Sequence, residues 1–276
     1  MLALLKKAYL NNSLVSGATL LSVLAAVIIV APFLYPGDPQ SMVAPALIRP
    51  GEDARYILGT DGLGHDLTAE LMHGAGISVM IGIGSVTVGV FVGTIIGAIG
   101  GYFGGLVDDL LTRLTELFQT VPTFLLVMAL VCVFEPSLVV IIAAIAATSW
   151  VSVARITRAQ FRTLRQRDYV LAARTLGYSD ARIIVVEILP NAIAPIVANI
   201  SLMIASAILL ESALSFIGLG DPNVVSWGSM IAEGRDYMRS DWYLIAIPGA
   251  AIAATVFAFN LVGDGLNHVL NARASS

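Results

Sequence analysis

The residues best suited to chemistry in this 276-residue chain are few and widely separated. His65 beside Asp66 is the pairing that comes nearest to an acid–base or metal site. The chain holds only three histidines, however, and no two of them are spaced as His-x-x-x-His. Cys132 is the single cysteine, so neither an internal disulfide nor a cysteine-based metal site is available. We therefore predict no catalytic residue and no metal ligand.

The sequence also lacks the signature of a Walker-type nucleotide-binding site. Lys6 and Lys7 are the only lysines, and neither follows a glycine. A Walker-type phosphate loop needs a Gly-Lys pair, so the chain has no such ATP site of its own. An intramembrane enzyme would need a Ser-His, paired-Asp or His-metal set, and none is present in the apolar stretches. Two candidates remain, the polar segment 168–177 and the acidic residue Glu211.

Composition identifies the elements that must position these candidates. Hydrophobic residues make up 57% of the chain and charged residues 12%, whereas a soluble domain has about 25% charged residues. The charge balance, with a net charge of −4, excludes a strongly basic nucleic-acid binder. Uncharged stretches of spanning length predict an all-α integral membrane protein with six transmembrane helices, at about 12–35, 75–101, 110–134, 137–157, 191–212 and 242–264.

The distribution of positive charge predicts the orientation of these spans. With the N-terminus inside, eleven Lys and Arg residues face the cytoplasm and four face outward, in agreement with the positive-inside rule. Both termini and the loop 158–190 are then cytoplasmic, and the loops 36–74 and 213–241 lie outside. The first apolar run is longer than the core of a secretory signal, so we expect an uncleaved span. Four inner arginines at helical spacing are interpreted as topology-setting charge: Arg155, Arg158, Arg162 and Arg165.

The inner segment 168–177 predicts a short amphipathic helix. Asp168 can cap its start through the carboxylate, and Gly177 can end it in the left-handed conformation. Such a helix is too short to be stable alone in water, so its apolar face must be covered. By helical spacing that face holds Tyr169, Ala172, Ala173 and Leu176. It would lie either in a groove of another protein or against the inner ends of the spans, and the pattern leaves both open.

Glycines recur at every fourth position around the second span, at Gly89, Gly93, Gly97, Gly101 and Gly105. Small residues at this spacing let two membrane helices approach closely. We predict a helix-packing stripe, and a smooth face that slides during transport is the alternative.

Glu211 lies at the outer end of the fifth predicted span. Its carboxylate would either line a substrate path and meet a cationic group, or lie at the level of the lipid headgroups. No series of ionisable residues crosses the predicted spans, which argues against a proton-coupled pump.

Several motifs resemble one family of transporters. The stretch Leu171–Pro190 resembles the EAA loop of permease subunits in bacterial ABC importers, whose spacing is matched by Ala172, Ala173, Gly177, Leu189 and Pro190. Leu171 stands where Glu is usual, and Glu187 stands where Ile or His is common. Further matches to the dipeptide-permease-C-like branch of the peptide/nickel family follow in order, at 58–61 (LGTD), 64–66 (GHD, usually Gly-Arg-Asp), 214–220 (LSFIGLG), 226–228 (SWG), 234–235 (GR), 248–249 (PG) and 260–266 (NLVGDGL).

This resemblance implies a type I ABC importer permease in the bacterial inner membrane. Such a permease pairs with a second, non-identical permease subunit and receives substrate, here expected to be peptide, from a periplasmic binding protein. Two cytoplasmic subunits bind the ATP and Mg²⁺ and dock on a coupling helix. The expected coupling residues are Asp168, Tyr169, Leu171, Ala172, Ala173, Leu176, Gly177, Leu189 and Pro190. A secondary transporter or channel without an ATPase, which needs no docking helix, is the alternative.

Overall fold

The computed structural model describes residues 12–271, with side chains through 269, so Lys6, Lys7 and Arg273 lie outside the described residues. Within this range the backbone is helical, with no strand and a single bridge between Thr60 and Asp66. The helices are α1 (Asn12–Leu34), α2 (Leu67–Phe103), α3 (Gly105–Thr120), α4 (Thr123–Phe134), α5 (Leu138–Leu164), α6 (Asp168–Thr175), α7 (Asp180–Phe216), α8 (Trp227–Gly234) and α9 (Tyr243–Asn271).

The number of candidate spans depends on one bend. In the described part of the chain, α1, α2, α5, α7 and α9 are long and apolar enough to cross a membrane. The pair α3 and α4 makes a sixth span only if two helices bent by 84° are counted together. The predicted third span at 110–134 is therefore not one helix. Pro122 lacks a backbone donor and disfavours helical geometry at the preceding Val121, which is extended with ψ 129°.

The second span is longer than the sequence predicted. α2 begins at Leu67, eight residues before the expected start at 75, because the Asp66 carboxylate accepts a 2.8 Å hydrogen bond from the Thr68 N–H and caps the helix. Its 37 residues span about 55 Å, well beyond the roughly 30 Å hydrocarbon core of a bilayer. α2 therefore joins the two ends of the bundle.

Four of the five predicted packing glycines lie where α2 meets α5. A Cβ added at Gly93, Gly97 or Gly101 would lie only 2.6–2.7 Å from a Cβ of α5, and one at Gly89 would lie 3.2 Å from Ser149 Cβ. Only glycine allows the two backbones to come this close. Gly105 was assigned to the stripe incorrectly. It starts α3 after the turn at Gly104, with φ +53°, and a Cβ there would contact nothing within 4 Å.

The helices at the two ends of the described range, α1 and α9, lie side by side. A Cβ at Gly17 of α1 would lie 2.8 Å from Val262 N, and one at Gly265 of α9 would lie 2.5 Å from Leu14 Cβ. Most of the remaining α1 surface is exposed, as expected for a helix that faces lipid.

Candidate functional site

Helix α6 is held against the bundle by two buried side chains, Val170 and Ala173. They pack in a cluster contributed by α2, α5 and α7, whose other buried members are Ala98, Tyr102, Phe161, Ile183, Ile188 and Ala192. One side of α6 therefore rests on the spans, which is the internal-packing interpretation of the sequence.

The rest of α6 exposes several apolar side chains beside the polar Asp168, Arg174 and Thr175. Leu176 is 71% exposed, Leu171 47% and Tyr169 39%, and Ala172 lies exposed among them. The prediction that Ala173 shares a face with Tyr169, Ala172 and Leu176 was therefore wrong, because Ala173 points inward. Both sides of this helix carry apolar residues, so spacing alone could not identify the buried one. The docking interpretation is also compatible with the structure, since the described residues leave these apolar side chains uncovered.

The two ends of α6 are built differently. Asp168 was expected to be the capping residue, but it is the first helical residue, after Arg167, which provides no side-chain cap. Its carboxylate still favours the positive end of the helix dipole. At the other end Gly177, with φ +78°, closes a Schellman motif. The Gly177 N–H bonds Arg174 O at 3.0 Å and the Tyr178 N–H bonds Ala173 O at 3.1 Å.

Tyr102 at the end of α2 connects α6 to its neighbours. Its hydroxyl donates a 2.6 Å hydrogen bond to Asp180 Oδ1 at the start of α7. Its carbonyl oxygen accepts a 3.0 Å hydrogen bond from Arg165 Nη1, and the Arg174 guanidinium of α6 lies 5.0 Å from its ring centroid. Tyr102 thus contacts α6, the end of α5 and the start of α7 from the end of α2.

Two inner arginines do more than set topology. Arg158 of α5 forms a bidentate ion pair with Asp108 of α3. Its Nη2 donates a 2.9 Å hydrogen bond to Oδ2, and its Nε donates to Oδ1. Arg155 Nη1 donates a 3.4 Å hydrogen bond to Gln119 Oε1. These contacts attach the α3 segment to α5, a role that charge counting could not detect because the partners are distant in sequence.

Leu189 packs, partly buried, against the cluster that holds α6, whereas Pro190 is exposed. They follow a π-helical turn at Ile183–Ile188, in which the Leu189 N–H bonds Ile184 O. The Asn191 side chain donates a 2.8 Å hydrogen bond to Glu187 O, close to the position where Pro190 offers no backbone donor. π-Turns are frequent at functional sites, and this one leads from the α6 loop into α7.

A cavity of about 520 Å³ opens between α5, α7 and the α3–α4 bend. Its lining combines apolar groups with polar side chains that can donate or accept hydrogen bonds: Gln119, Thr123, Thr148, Ser149, Ser152, Arg155, Asn199 and Ser206. Among the described residues, none of those that line this cavity is acidic.

Glu211 does not belong to that cavity. It is 1% exposed and accepts hydrogen bonds from Ser215 at 2.8 Å and from Ser226 at 2.7 Å, with Ser212 at 3.5 Å. The expectation that Glu211 lines a substrate path is therefore not met in this structure. Its carboxyl instead fastens α8 to the end of α7, where a Cβ at Gly228 would lie 2.8 Å from Ser212 Cα.

Helices long enough to span a membrane, a polar-lined cavity between two of them and an exposed short helix at one end form an arrangement that suits a transport permease. Residues 89–276 match the family described as binding-protein-dependent transport system inner membrane component, and the chain belongs to this family. It is 36% identical to the di/tripeptide transport system permease protein DppC of Pseudomonas aeruginosa (strain UCBPP-PA14), over 95% of this chain and 89% of that protein. It is 35% identical to the oligopeptide transport system permease protein OppC of Escherichia coli (strain K12), over 95% and 88% respectively.

Two solved ABC transporters share the fold. The MetNI methionine ABC transporter, in an inward-facing conformation, aligns with a TM-score of 0.59 at 14% identity, over 74% of this chain and 95% of that chain. An amino acid ABC transporter with histidines aligns with a TM-score of 0.53 at 22% identity, over 75% and 94%. The chain is thus a multi-pass inner-membrane permease subunit of the ABC importer type, which decides against a secondary transporter or channel.

Proposed function

We propose that this chain forms, with a second and non-identical permease subunit, the path of a peptide importer. Its relatives are named for di/tripeptide and oligopeptide transport. The cavity supports the same substrate class, because its hydroxyl and amide side chains match the donors and acceptors of peptide groups. Its volume of about 520 Å³ is within the usual range for small-ligand sites, about 300–1,000 Å³. Arg155 offers a charged partner for a peptide carboxylate.

The observation that carries the proposal is the exposed apolar face of α6 on a buried support. In the proposed assembly, two separate cytoplasmic subunits bind ATP and Mg²⁺, and one of them takes this face into a groove. Because Leu171 stands where the family usually has Glu, the contact is apolar at that position rather than a salt bridge. In this assembly α6 faces the cytoplasm, and so do both termini of the permease. The permease itself is non-catalytic.

A movement of α6 would be transmitted to the cavity through a small number of contacts. Tyr102 and Asp180 link α6 to α2 and α7, and α7 lines the cavity directly. The glycine stripe packs α2 closely on α5, which lines the opposite wall. Closure of the ATPases would therefore move the walls together, while a periplasmic binding protein delivers substrate to the end formed by residues 35–66 and α8.

The test uses Gly177, where a Cβ has free space but the backbone has φ +78°. Gly177→Val should distort the end of α6, since a β-branched residue is strained in that conformation, whereas Gly177→Asn tolerates it. In proteoliposomes with all subunits, we expect Gly177→Val to reduce ATP-driven peptide uptake at least about tenfold, while Gly177→Asn retains most of it. Equal uptake by both variants would overturn the coupling role, and ATPase activity in the purified chain alone would overturn the non-catalytic assignment.

A further inference from the structure

The end of the bundle opposite α6 brings together four side chains that are typical metal ligands. They are Asp61, His65, Glu70 and Glu233, and one ligand atom from each lies within 4.8 Å of the others. The first two come from the turn before α2, the third from the first turn of α2, and the fourth from α8. Sequence spacing predicted no metal site because the ligands come from separate segments of the chain.

The geometry around His65 leaves ligand atoms facing one another. His65 Nδ1 lies 2.9 Å from Asp61 Oδ2 and 3.4 Å from Glu70 Oε1. Asp61 Oδ1 accepts hydrogen bonds from the His65 N–H at 2.7 Å and the Leu63 N–H at 2.9 Å. One oxygen of Asp61 therefore fixes the turn, and the other is directed toward the imidazole and the Glu70 carboxylate.

Glu70 supplies the observation that points to a ligand. Its side chain is 2% exposed, and Oε2 has no hydrogen-bond partner. Glu70 lines a cavity of about 200 Å³ together with Asp61 and Glu233. A buried carboxylate oxygen without a partner is unfavourable in general, and a bound cation would supply the missing partner.

Charge in the cluster is also unbalanced. Three carboxylates surround a single imidazole, and among the described residues no Lys or Arg forms an ion pair with any of them. Three arginines at this end of the bundle have other partners, since Arg49 pairs with Asp241, Arg55 with Asp53 and Arg235 with Asp236. A divalent cation would supply the positive charge that the cluster lacks.

We propose that Asp61, His65, Glu70 and Glu233 bind one divalent transition-metal ion. Zn²⁺ is the ion that matches this ligand set. Imidazole with carboxylates is a ligand set that Zn²⁺ accepts, whereas Ca²⁺ requires six to eight oxygens. Ligand atoms at about 2.0–2.2 Å from zinc lie about 3–4 Å apart. Binding of zinc would therefore draw the ligand atoms of the 4.8 Å cluster closer together. The ion would be structural and would hold α8 to the start of α2.

His65→Arg is the sharpest variant for a test. The matched family pattern has Arg at this position, and a guanidinium supplies positive charge but has no lone pair for a metal. The variant therefore balances the charge of the cluster while removing the ligand. Glu233→Gln is the second variant, because Glu233 is exposed and its replacement leaves the buried residues unchanged. Asp53→Asn, at an exposed acid paired with Arg55, is the matched control.

The experiment measures Zn²⁺ binding to the full chain in lipid nanodiscs after treatment with EDTA, by calorimetry and by metal analysis. We expect one Zn²⁺ per wild-type chain and per Asp53→Asn chain, with a rise in melting temperature on binding. Affinity should fall at least about tenfold in Glu233→Gln and His65→Arg, and the melting temperature of His65→Arg should not respond to zinc.

Three outcomes would overturn the proposal. The first is a wild-type chain that binds no stoichiometric zinc, which would mean that protons alone neutralise the carboxylates. The second is unchanged affinity in both ligand variants while Asp53→Asn also binds normally. The third is tighter binding of Ca²⁺ than of Zn²⁺ in a parallel titration, which would contradict the assignment to a transition metal.

Discussion

The Tyr102 hydroxyl donates a 2.6 Å hydrogen bond to Asp180 Oδ1, which lies 78 residues further along the chain. This bond joins the end of α2 to the start of α7 directly behind α6. The ring of the same tyrosine also contacts the Arg174 guanidinium. Tyr102 is therefore the point at which the exposed helix, the long span and the cavity wall meet.

Replacing Tyr102 by Phe should test that connection with little change in packing. The ring and its contact with Arg174 remain, but the hydrogen bond is lost, which should reduce stability by about 1 kcal/mol. We expect a lower melting temperature and weaker coupling of ATP hydrolysis to uptake. Asp180→Asn is the control, because its amide oxygen can still accept from the hydroxyl. If Tyr102→Phe and Asp180→Asn both match the wild type in melting and uptake, the bond has no mechanical role.

Two glycines of α2 provide a matched pair for the packing stripe. Gly93→Ala places a Cβ 2.7 Å from Val153 Cβ, whereas Gly84→Ala places one 3.5 Å from Ile142 Cδ1, an ordinary contact. Overpacking should make Gly93→Ala less stable by about 1–3 kcal/mol. Gly84→Ala should be neutral or slightly stabilising because Ala favours the helix. Thermal unfolding in detergent measures both, and equal stabilities would contradict close packing at Gly93.

Glu211 should prove to be a residue of folding and assembly. Glu211→Ala leaves the buried Ser215 and Ser226 hydroxyls without their acceptor, which should reduce stability by about 1–3 kcal/mol. Glu211→Gln retains an acceptor oxygen and should lie between the alanine variant and the wild type. Melting temperature and protease resistance of the α8 segment provide the readout. A wild-type melting temperature for Glu211→Ala, with loss of uptake only, would instead favour contact with substrate.

The surroundings of Asp221, at the same end of the bundle as Glu211, predict that the stability of the protein depends on pH. Burial alone would raise its pKa, but hydrogen bonds from the Asn223 N–H and from the Leu138 N–H at 2.8 Å lower it below the usual 3.8. Since the folded pKa lies below the unfolded one, the stabilisation is complete above about pH 4 and is lost as the pH falls through the folded pKa.

The comparison of wild type with Asp221→Asn checks this sign. The wild type should be more stable at pH 7, and the difference in melting temperature should shrink as the pH is lowered below about 4. A difference that stays constant from neutral to strongly acidic pH would show that the Asp221 charge contributes nothing to the start of α5.

The sequence located most of the helices because charges mark the ends of membrane spans. It could not reveal the break at Pro122, since residues 117–134 form an uncharged run close to spanning length on both sides of that proline. The bounds of α6 were predictable from Asp168 and Gly177, which act locally. The buried face of α6 was not predictable, because apolar residues lie on its exposed side as well as at Val170 and Ala173.

Residues whose partners are distant were the least predictable. The role of Glu211 depends on Ser226, fifteen residues later, and that of Arg158 depends on Asp108, fifty residues earlier. A metal site at His65 was not predicted because no two histidines are spaced as His-x-x-x-His. Its other members come from a turn, a helix start and a separate helix, which only the fold brings together.

The pairing of α1 with α9 constrains the order in which the protein can be built. α1 leaves the ribosome before α9, yet Gly17 and Leu14 of α1 lie close to Val262 and Gly265 of that later helix. During synthesis α1 therefore lies in the lipid without its partner helix until α9 has been inserted. Nascent chains that stall before Val262 would therefore expose an orphan helix, which quality-control proteases of the membrane could recognise.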